Sequence, residues 1–482
     1  MWGHKSTDTG GASMLDTAMA PADGSEPLYS RREAWYSPNQ ALMMVAALFV
    51  LASLFGSQVP PFQSPDEFNH VKRAYLLSHG HIVTLNRGSL TGGDIDEGLL
   101  QYMDCFMPFP LNYHTKVERA SLRACDAIHF SGRQRFSSLP NTAMYFPLPY
   151  AAQAFAFAIG ERSGMSVARS YYLARLLSLS ATLLLLLAAF TVYSVPPGAV
   201  SLFFMPMCLF QLSAASLDSV TFAMTVVAAS LFLRAYRREL PFGTHHSLAL
   251  SALLLLLATS RVIYIVLAPL LMVLYRVRRS PRNLVLFVVV FLLAASWIGF
   301  SLLTVHGQGA NAQETSSSDI VKYYLVHPEK LLGVLIRTFG DGDLMRGWWE
   351  MFVGNLGWLD IPLGTPAYVL FAVELAGIVV VSFPTKSIAE LNFGNAALAL
   401  VAAGAFFMLL LVSLSAWTPH PATILYWIEG RYFYPIAILF MFSIWSGSLP
   451  KERSVPAFAI LTLIAVSSLE IVIPKLVSRY YG

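Results

Sequence analysis

Two adjacent carboxylates in this sequence could divide two tasks, one completing a helix cap and the other acting as a catalytic base. The stretch reads Ser64-Pro65-Asp66-Glu67, followed by apolar residues at helical spacing. Ser64 could cap a helix with Pro65 at its first position, while Glu67 completes a capping box. Neighbouring helical side chains point about 100° apart, which would leave Asp66 free to act as a general base on an acceptor hydroxyl. The alternative is that Asp66 only complements the helix dipole.

His70 follows these acids by three and four positions, so its imidazole and their carboxylates occupy neighbouring helix positions. A divalent cation could bridge them, with His79 and His81 nearby, although a solvated helix face explains the same pattern. No zinc-binding His-Glu-x-x-His pattern occurs in the sequence. The prediction is therefore no defined metal site, with a divalent cation as the alternative.

Arginine suits a phosphate ligand because its planar guanidinium donates two parallel hydrogen bonds. Four arginines interrupt or separate the apolar runs: Arg261 falls within one, and Arg337, Arg346 and Arg431 lie between them. Asp218 is a further acid at the end of an apolar run. Lipid headgroups or structural ion pairs are the alternative partners of each arginine. Acids and arginines beside the bilayer indicate a lipid-phosphate substrate.

The elements that must position these groups are membrane helices. The 482-residue chain is 56% hydrophobic and 12% charged, whereas soluble domains have about 25% charged residues. Its apolar runs are about 20 residues long, as about 30 Å of hydrocarbon requires. The net charge is +4, and no basic cluster is interleaved with aromatic residues, which leaves nucleic-acid binding unsupported. The sequence predicts an all-α polytopic membrane protein.

Lysine and arginine are retained on the cytoplasmic side, and this bias predicts the topology. Residues 1–40 are polar and are interpreted as a disordered cytoplasmic tail, and residues 41–482 as the membrane domain. The first outer loop covers about 59–140, and the second large outer loop about 305–364. Eleven spans are predicted, with the C-terminus outside: 41–57, 173–192, 200–213, 220–233, two within 247–274, 283–304, 366–383, 395–416, 432–445 and 455–474.

Two segments allow different topologies. The run 144–160 contains two prolines and is followed by charged residues; we expect a re-entrant or interfacial element, or a twelfth span if it crosses. The run 247–274 is longer than one membrane span requires. As a single helix it would bury Arg261 in mid-membrane, which costs about 2.5–3.5 kcal/mol. A hairpin with Arg261 at its outer turn avoids that penalty.

Three residues in apolar or loop positions raise separate questions. Glu374 falls within an apolar span, where a carboxylate is either functional or paired inside the bundle. Cys105 and Cys125 share the first outer loop. An oxidising compartment would allow a disulfide between them, and the alternative is two free thiols.

Four stretches resemble a large family of uncharacterised bacterial membrane proteins that is grouped with the GT-C glycosyltransferase superfamily. The first is Pro-Pro-Phe-Gln-Ser-Pro-Asp-Glu-Phe-Asn-His at 60–70, where the family often has Pro-Ala in place of Phe-Asn. The others are Ser-Leu-Asp at 216–218, Gly-Asn-Leu-Gly-Trp-Leu-Asp at 354–360 and Glu-Gly-Arg-Tyr-Phe-Tyr-Pro at 429–435. Together they span most of the chain after the polar N-terminus.

The resemblance implies a GT-C-like bundle of about 11–12 transmembrane helices whose large outer loops carry juxtamembrane helices. Such enzymes move a sugar from a polyprenyl-phosphate carrier to a glycan or glycolipid acceptor on the outer face of the bacterial plasma membrane. Asp66 would be the base and Glu67 the weaker candidate, with Asp218 in support. Arg431, with Arg261 as the second candidate, would hold the carrier phosphate. The other residues predicted to bind substrate, beside those that the resemblance assigns, are His70, Arg337, Arg346 and Tyr432.

Two other functions fit the same features. A transporter or flippase for lipid-linked sugars would place polar groups at mid-membrane on broken helices, often in two related halves. Glu374 and the proline-interrupted run 200–213 favour it weakly, but no related halves are evident in the sequence. A glycan polymerase or ligase would also use large outer loops.

Overall fold

The computed structural model describes residues 34–238, 240–305, 317–383 and 392–482. These residues form α-helices joined by loops, with two small antiparallel sheets, which confirms the predicted all-α membrane class. Most of the predicted tail lies outside the described residues. Where its end is described, Trp35 and Tyr36 are buried, and the first helix begins at Pro38 rather than at residue 41.

The first part of the chain, up to the second outer loop, contains the following helices: α1 Pro38–Gln58, α2 Glu67–Ser78, α3 Glu97–Asp104, α4 Arg119–Asp126, α5 Ala151–Arg162, α6 Val167–Val192, α7 Pro197–Phe204, α8 Pro206–Leu212, α9 Asp218–Arg237, α10 Thr244–Ser260, α11 Leu270–Arg278 and α12 Pro281–Thr304. The second part contains α13 Ser317–Val326, α14 Pro328–Gly340, α15 Gly342–Gly354, α16 Thr365–Ser382, α17 Phe393–Val412, α18 Tyr434–Ser443 and α19 Lys451–Tyr480.

Seven of the described helices are long and apolar enough to cross a membrane: α1, α6, α9, α12, α16, α17 and α19. The other four predicted crossings are short or broken. The run 200–213 divides into α7 and α8 at Met205, because Pro206 cannot continue the preceding helix. The helix α10 has 17 residues and α18 has 10. A 3₁₀ turn at Val262–Leu267 precedes α11.

The run 247–274 forms the predicted hairpin. Arg261, at the end of α10, has extended backbone and pairs with Asp218 at the first residue of α9. Arg278, at the end of α11, donates to the carbonyl of Ala235 near the opposite end of α9, over 2.8 Å. The chain therefore travels along α9 and returns, with Arg261 at the turn.

Basic residues hold together the end of the bundle where the predicted cytoplasmic linkers meet. Arg237 donates to the carbonyl of Trp445 over 2.7 Å, and Arg453 donates to that of Phe383 over 2.9 Å. These bonds join linkers that the charge count placed on one side. The positive-inside rule predicts that this side faces the cytoplasm.

The first outer loop is a folded unit at the opposite end. It contains α2–α4 and an antiparallel sheet of β1 Leu85–Arg87, β2 Leu90–Asp96 and β3 Gln134–Ser138. A Cys105–Cys125 disulfide joins the end of α3 to α4. The helix α5, which follows this loop, has 12 residues and would extend about 18 Å. It is too short to cross, which favours the interfacial interpretation of the run 144–160.

The second outer loop contributes α13–α15 and a two-stranded ribbon, β4 Asn355–Leu356 and β5 Ile361–Pro362. Beside the ribbon, Asp360 forms a buried ion pair with Arg479 over 3.0 Å, which ties this loop to the end of α19. In the membrane region, Glu374 of α16 accepts a 2.7 Å hydrogen bond from Ser467 of α19. This bond identifies the packing partner that the sequence did not indicate.

Candidate functional site

Asp66 immediately precedes α2 and has a left-handed backbone, with φ of 63°. Its side chain does not cap the helix. One carboxylate oxygen accepts from Nη2 of Arg431 over 2.5 Å, and the other from the amide of Asn141 over 2.6 Å. The predicted cap at Ser64 is wrong: α2 begins at Glu67 rather than Pro65, and the Ser64 hydroxyl donates to Gln211 instead.

Glu67 points to the other side of this turn and is completely buried. Its carboxylate accepts 2.7 Å hydrogen bonds from the Tyr171 hydroxyl and the Ala215 amide. It also accepts from the Ser64 amide over 3.2 Å, which is the predicted capping-box contact, and pairs with Arg175 over 3.5 Å. With four partners and no exposed surface, Glu67 holds the Asp66 turn against α6 and α8 and has no access to a substrate.

Arg431 joins three carboxylates that come from distant parts of the chain. Its Nη2 binds Asp66, its Nη1 lies 3.2 Å from an Asp218 oxygen, and its Nε lies 2.7 Å from Glu429. Nη1 also donates to the carbonyl of Pro65 over 2.9 Å. The side chain is 1% exposed. Every nitrogen of this guanidinium therefore lies close to a protein oxygen, although Nε forms an ion pair with Glu429 and not a hydrogen bond.

Arg261 completes a cluster of three acids and two arginines, which we call the acid–arginine cluster (Asp66, Asp218, Glu429, Arg261 and Arg431). Its Nη2 pairs with Asp218, and its guanidinium lies over the ring of Tyr432, 4.7 Å from the centroid. Tyr145 is also close, with 5.9 Å between guanidinium and ring centroid. Within the described residues, Nε of Arg261 is buried without a hydrogen-bond partner. The Nε of Arg431 also lacks a hydrogen bond but is ion-paired with Glu429, so Arg261 has the Nε that is not ion-paired within the described residues.

The acids of the cluster differ in accessibility. The side chains of Asp66 and Glu429 are 20% and 21% exposed, whereas that of Asp218 is 1% exposed. Burial tends to raise the pKa of Asp66, but Arg431 and the Asn141 amide hold it below its ordinary value. Burial raises the pKa of Glu429, and Arg431 opposes that rise. Asp66 is consequently an ionised, reachable carboxylate at neutral pH.

His70 forms part of the wall behind Asp66. Its Nδ1 lies 2.6 Å from the Tyr150 hydroxyl, and the side chain is buried. Burial lowers its pKa to about 4, although Asp218 and Asp66 oppose that shift. His70 is thus neutral at pH 7 and positions Tyr150 rather than adding positive charge.

Two predicted substrate-binding arginines lie elsewhere. Arg337 donates to the carbonyl of Thr423 over 2.9 Å, and Arg346 is exposed and pairs with Asp343 on its own helix, α15, over 3.1 Å. The topology predicted from the basic residues placed Arg337 and Arg346 in the second outer loop. Their partners there, Thr423 and Asp343, do not belong to the acid–arginine cluster. Tyr432, by contrast, lies against Arg261 and Arg431.

The divalent-cation alternative finds no donor set in the described part of the chain. No group of three or more histidine, cysteine, aspartate or glutamate side chains there could hold a metal ion. The carboxylates of Asp66 and Asp218 face guanidinium groups instead. His79 contacts Glu161 of α5 over 3.2 Å.

The sequence did not reveal the segment 139–150, which lines the site. Asn141 from this segment binds Asp66, and Tyr145 lies beside Arg261. Buried Arg73 of α2 donates to the carbonyl of Tyr145 over 3.0 Å and so fixes the segment. No periodic pattern marks these residues. Glu429, in contrast, could have been selected, because it lies two positions before Arg431 in the same short motif.

Comparison with known proteins places this site within a family. None of the curated proteins and none of the solved structures compared with this chain matches it. Residues 48–440 match the sequence model of one family, and this stretch contains the whole acid–arginine cluster. The chain belongs to the family described as predicted membrane protein (DUF2142).

Proposed function

We propose that this protein is a membrane glycosyltransferase of the GT-C type that transfers a sugar from a polyprenyl-phosphate carrier to a glycan or glycolipid acceptor. The observation that supports it best is Asp66: an ionised carboxylate, partly exposed, fixed by two donors beside a buried arginine pair. The site would face the exterior of a bacterial plasma membrane, with the N-terminus in the cytoplasm.

The reaction needs a base, a leaving group and a place for its charge. Asp66 takes the proton of the acceptor hydroxyl as that oxygen bonds to the anomeric carbon. The bond between this carbon and the phosphate oxygen breaks, and the phosphate leaves on its lipid with the electron pair. No nucleotide sugar is needed, which suits a site outside the cell.

The contacts divide the two arginines between different tasks. Arg431 is surrounded by three carboxylates and a carbonyl, so it orients Asp66 and keeps its pKa low. Arg261 pairs with one carboxylate, and its unpartnered Nε belongs to a guanidinium that lies over the rings of Tyr432 and Tyr145. Donors fixed before the reaction stabilise developing charge without reorganisation. We therefore assign the leaving phosphate to Arg261 rather than to Arg431.

The location of the polar groups argues against the transporter alternative. The cluster lies at one end of α9, and the mid-membrane Glu374 is bonded to Ser467. A polymerase or ligase would perform the same chemistry on a longer acceptor, and no contact described above selects it.

The test is a product assay in proteoliposomes that contain a synthetic polyprenyl-phosphate sugar and bacterial envelope lipids as acceptors. A transferase releases polyprenyl phosphate and forms a new glycoconjugate, both detectable by mass spectrometry. A flippase moves the intact donor between leaflets and releases neither product. Intact donor that changes leaflet in wild-type vesicles, with no free polyprenyl phosphate, would refute the proposal in favour of transport.

A further inference from the structure

A cavity lies on the side of the Asp66 turn away from the acid–arginine cluster. This cleft, of about 460 Å³, opens between the end of α1 and the first half of α6. Ala52 and Gly56 line it on α1, and Leu176 and Leu179 line it on α6. Its volume falls within the range of small-molecule sites, about 300–1,000 Å³. Both walls belong to helices long and apolar enough to span a membrane, so the cleft borders the hydrocarbon of the bilayer.

Most of the lining of the cleft is apolar, and two of its polar side chains are already bonded. Arg175 lines it, but its Nη1 donates to the carbonyl of Val59 over 3.2 Å and its Nη2 to that of Pro60 over 3.3 Å. The Ser213 hydroxyl donates to the carbonyl of Phe210 over 2.7 Å. A sugar or a phosphate inside the cleft would find no free donor on these side chains. Its surface suits a hydrocarbon chain.

One wall of the cleft, which we call its roof, is formed by α4 and the segment just before it. Val117 and Leu122 contribute to it, yet none of the residues of α4 is buried. A helix without buried side chains gains little from packing. This one is held by its disulfide to Cys105, and the Val117 amide before it donates to the carbonyl of Tyr480 over 2.8 Å. Such tethering leaves the inner face of α4 available to a nonprotein partner.

The roof also presents positive charge. Arg119 and Arg123 lie four residues apart on α4, on the same helix face, and both are exposed. Neither forms an ion pair with an acid in the described part of the chain, whereas the neighbouring Glu118 accepts from the Ser121 hydroxyl. Asp126, at the end of the same helix, is the remaining acid. Paired guanidinium groups at a membrane surface suit a phosphate.

We propose that the cleft binds one phospholipid of the adjoining leaflet, with an acyl chain between α1 and α6 and its phosphate at Arg119 and Arg123. The acyl chain of the lipid would lie against Val59 and Pro60, which begin the protein segment leading to Asp66. Arg175 forms part of the same wall and pairs with Glu67. The bound lipid therefore supports the turn that carries the proposed base.

Phospholipid retention tests this proposal without any reference to sugar transfer. Purified protein in nanodiscs of phosphatidylglycerol and phosphatidylethanolamine is exchanged into detergent, and native mass spectrometry counts the lipids retained. Gly56→Leu fills the cleft, because a Cβ at this position meets only Ser213, at 3.5 Å and 3.6 Å. The matched control is Gly299→Leu on α12, where a Cβ meets nothing within 4 Å.

We expect one phospholipid per chain in the wild type and in Gly299→Leu, and at least a tenfold lower occupancy in Gly56→Leu. Replacement of both Arg119 and Arg123 by glutamine should lower occupancy several-fold, while Arg135→Gln, at an exposed site in the same loop, should not. Equal retention in Gly56→Leu and Gly299→Leu overturns the proposal. So does the recovery of polyprenyl phosphate, or of a second copy of the chain, in place of the phospholipid.

Discussion

The substitution Asp66→Asn tests the proposed base most directly. The left-handed backbone at this position favours asparagine and aspartate over other non-glycine residues. Asparagine therefore keeps the turn, whereas alanine would add about 1–2 kcal/mol of backbone strain. The amide cannot accept a proton, and its nitrogen must face either Arg431 or Asn141, both of which are donors.

General-base catalysis contributes about 10²–10⁴-fold to a rate, which corresponds to about 3–5 kcal/mol in the barrier. We expect kcat of Asp66→Asn to fall by that factor, with little change in the KM for the lipid donor. The assay is release of polyprenyl phosphate by purified protein at saturating donor concentration. Thermal unfolding of the same preparation shows that the fold persists.

The matched control is Asp94→Asn. Asp94 is an acid of the same outer loop that pairs with Arg87 on the neighbouring strand, over 2.8 Å. Its substitution should leave turnover unchanged. If Asp66→Asn retained more than about a tenth of wild-type turnover while remaining folded, the assignment of Asp66 as the base would be wrong.

Three further predictions concern the surroundings of Asp66. Arg261→Gln should lower kcat/KM for the lipid donor by at least tenfold, because it removes the proposed donors to the phosphate, whereas Arg337→Gln should not; equal effects of the two substitutions in a donor titration would contradict the assignment of the leaving phosphate to Arg261. Asn141→Ala should move the acid limb of the pH–rate profile upward, because it removes a hydrogen bond that lowers the pKa of Asp66; activity then declines at a higher pH as pH falls, and an unchanged limb would count against this link. Cys105→Ala should lower the free energy of unfolding by about 3 kcal/mol, measured by thermal unfolding, and no change under oxidising conditions would show that the disulfide does not stabilise the loop.

The sequence predicted the all-α membrane class correctly because two strong physical constraints act on it. Hydrocarbon thickness sets the length of the apolar runs, and the retention of basic residues orders them. These constraints predicted even the hairpin at Arg261, where the cost of burying one charge decided between two topologies. They also predicted that Asp66, Asp218 and Arg431 share one end of the bundle, where the structure brings them into contact.

The details of the site depend on tertiary contacts that no local pattern records. The sequence predicted a helix cap at Ser64, but the bonds of Glu67 to Tyr171 and Ala215 start α2 later and turn Asp66 toward Arg431. The contact of Asn141 with Asp66 crosses 75 residues. Arg337 has the predicted charge and loop, but its bond is to the carbonyl of Thr423 and not to the acid–arginine cluster, a contact that no local pattern indicates.

Asp66 and Arg431 are separated by 365 positions in the chain. Because synthesis proceeds from the N-terminus, the loop bearing Asp66 would be exported while the codons for Arg431 are still untranslated. Until that late segment is inserted, Asp66 lacks the arginine that fixes its carboxylate, whereas Asp218 already has Arg261. Under the proposed function, we therefore expect a fragment that ends before Arg431 to be inactive on lipid donors.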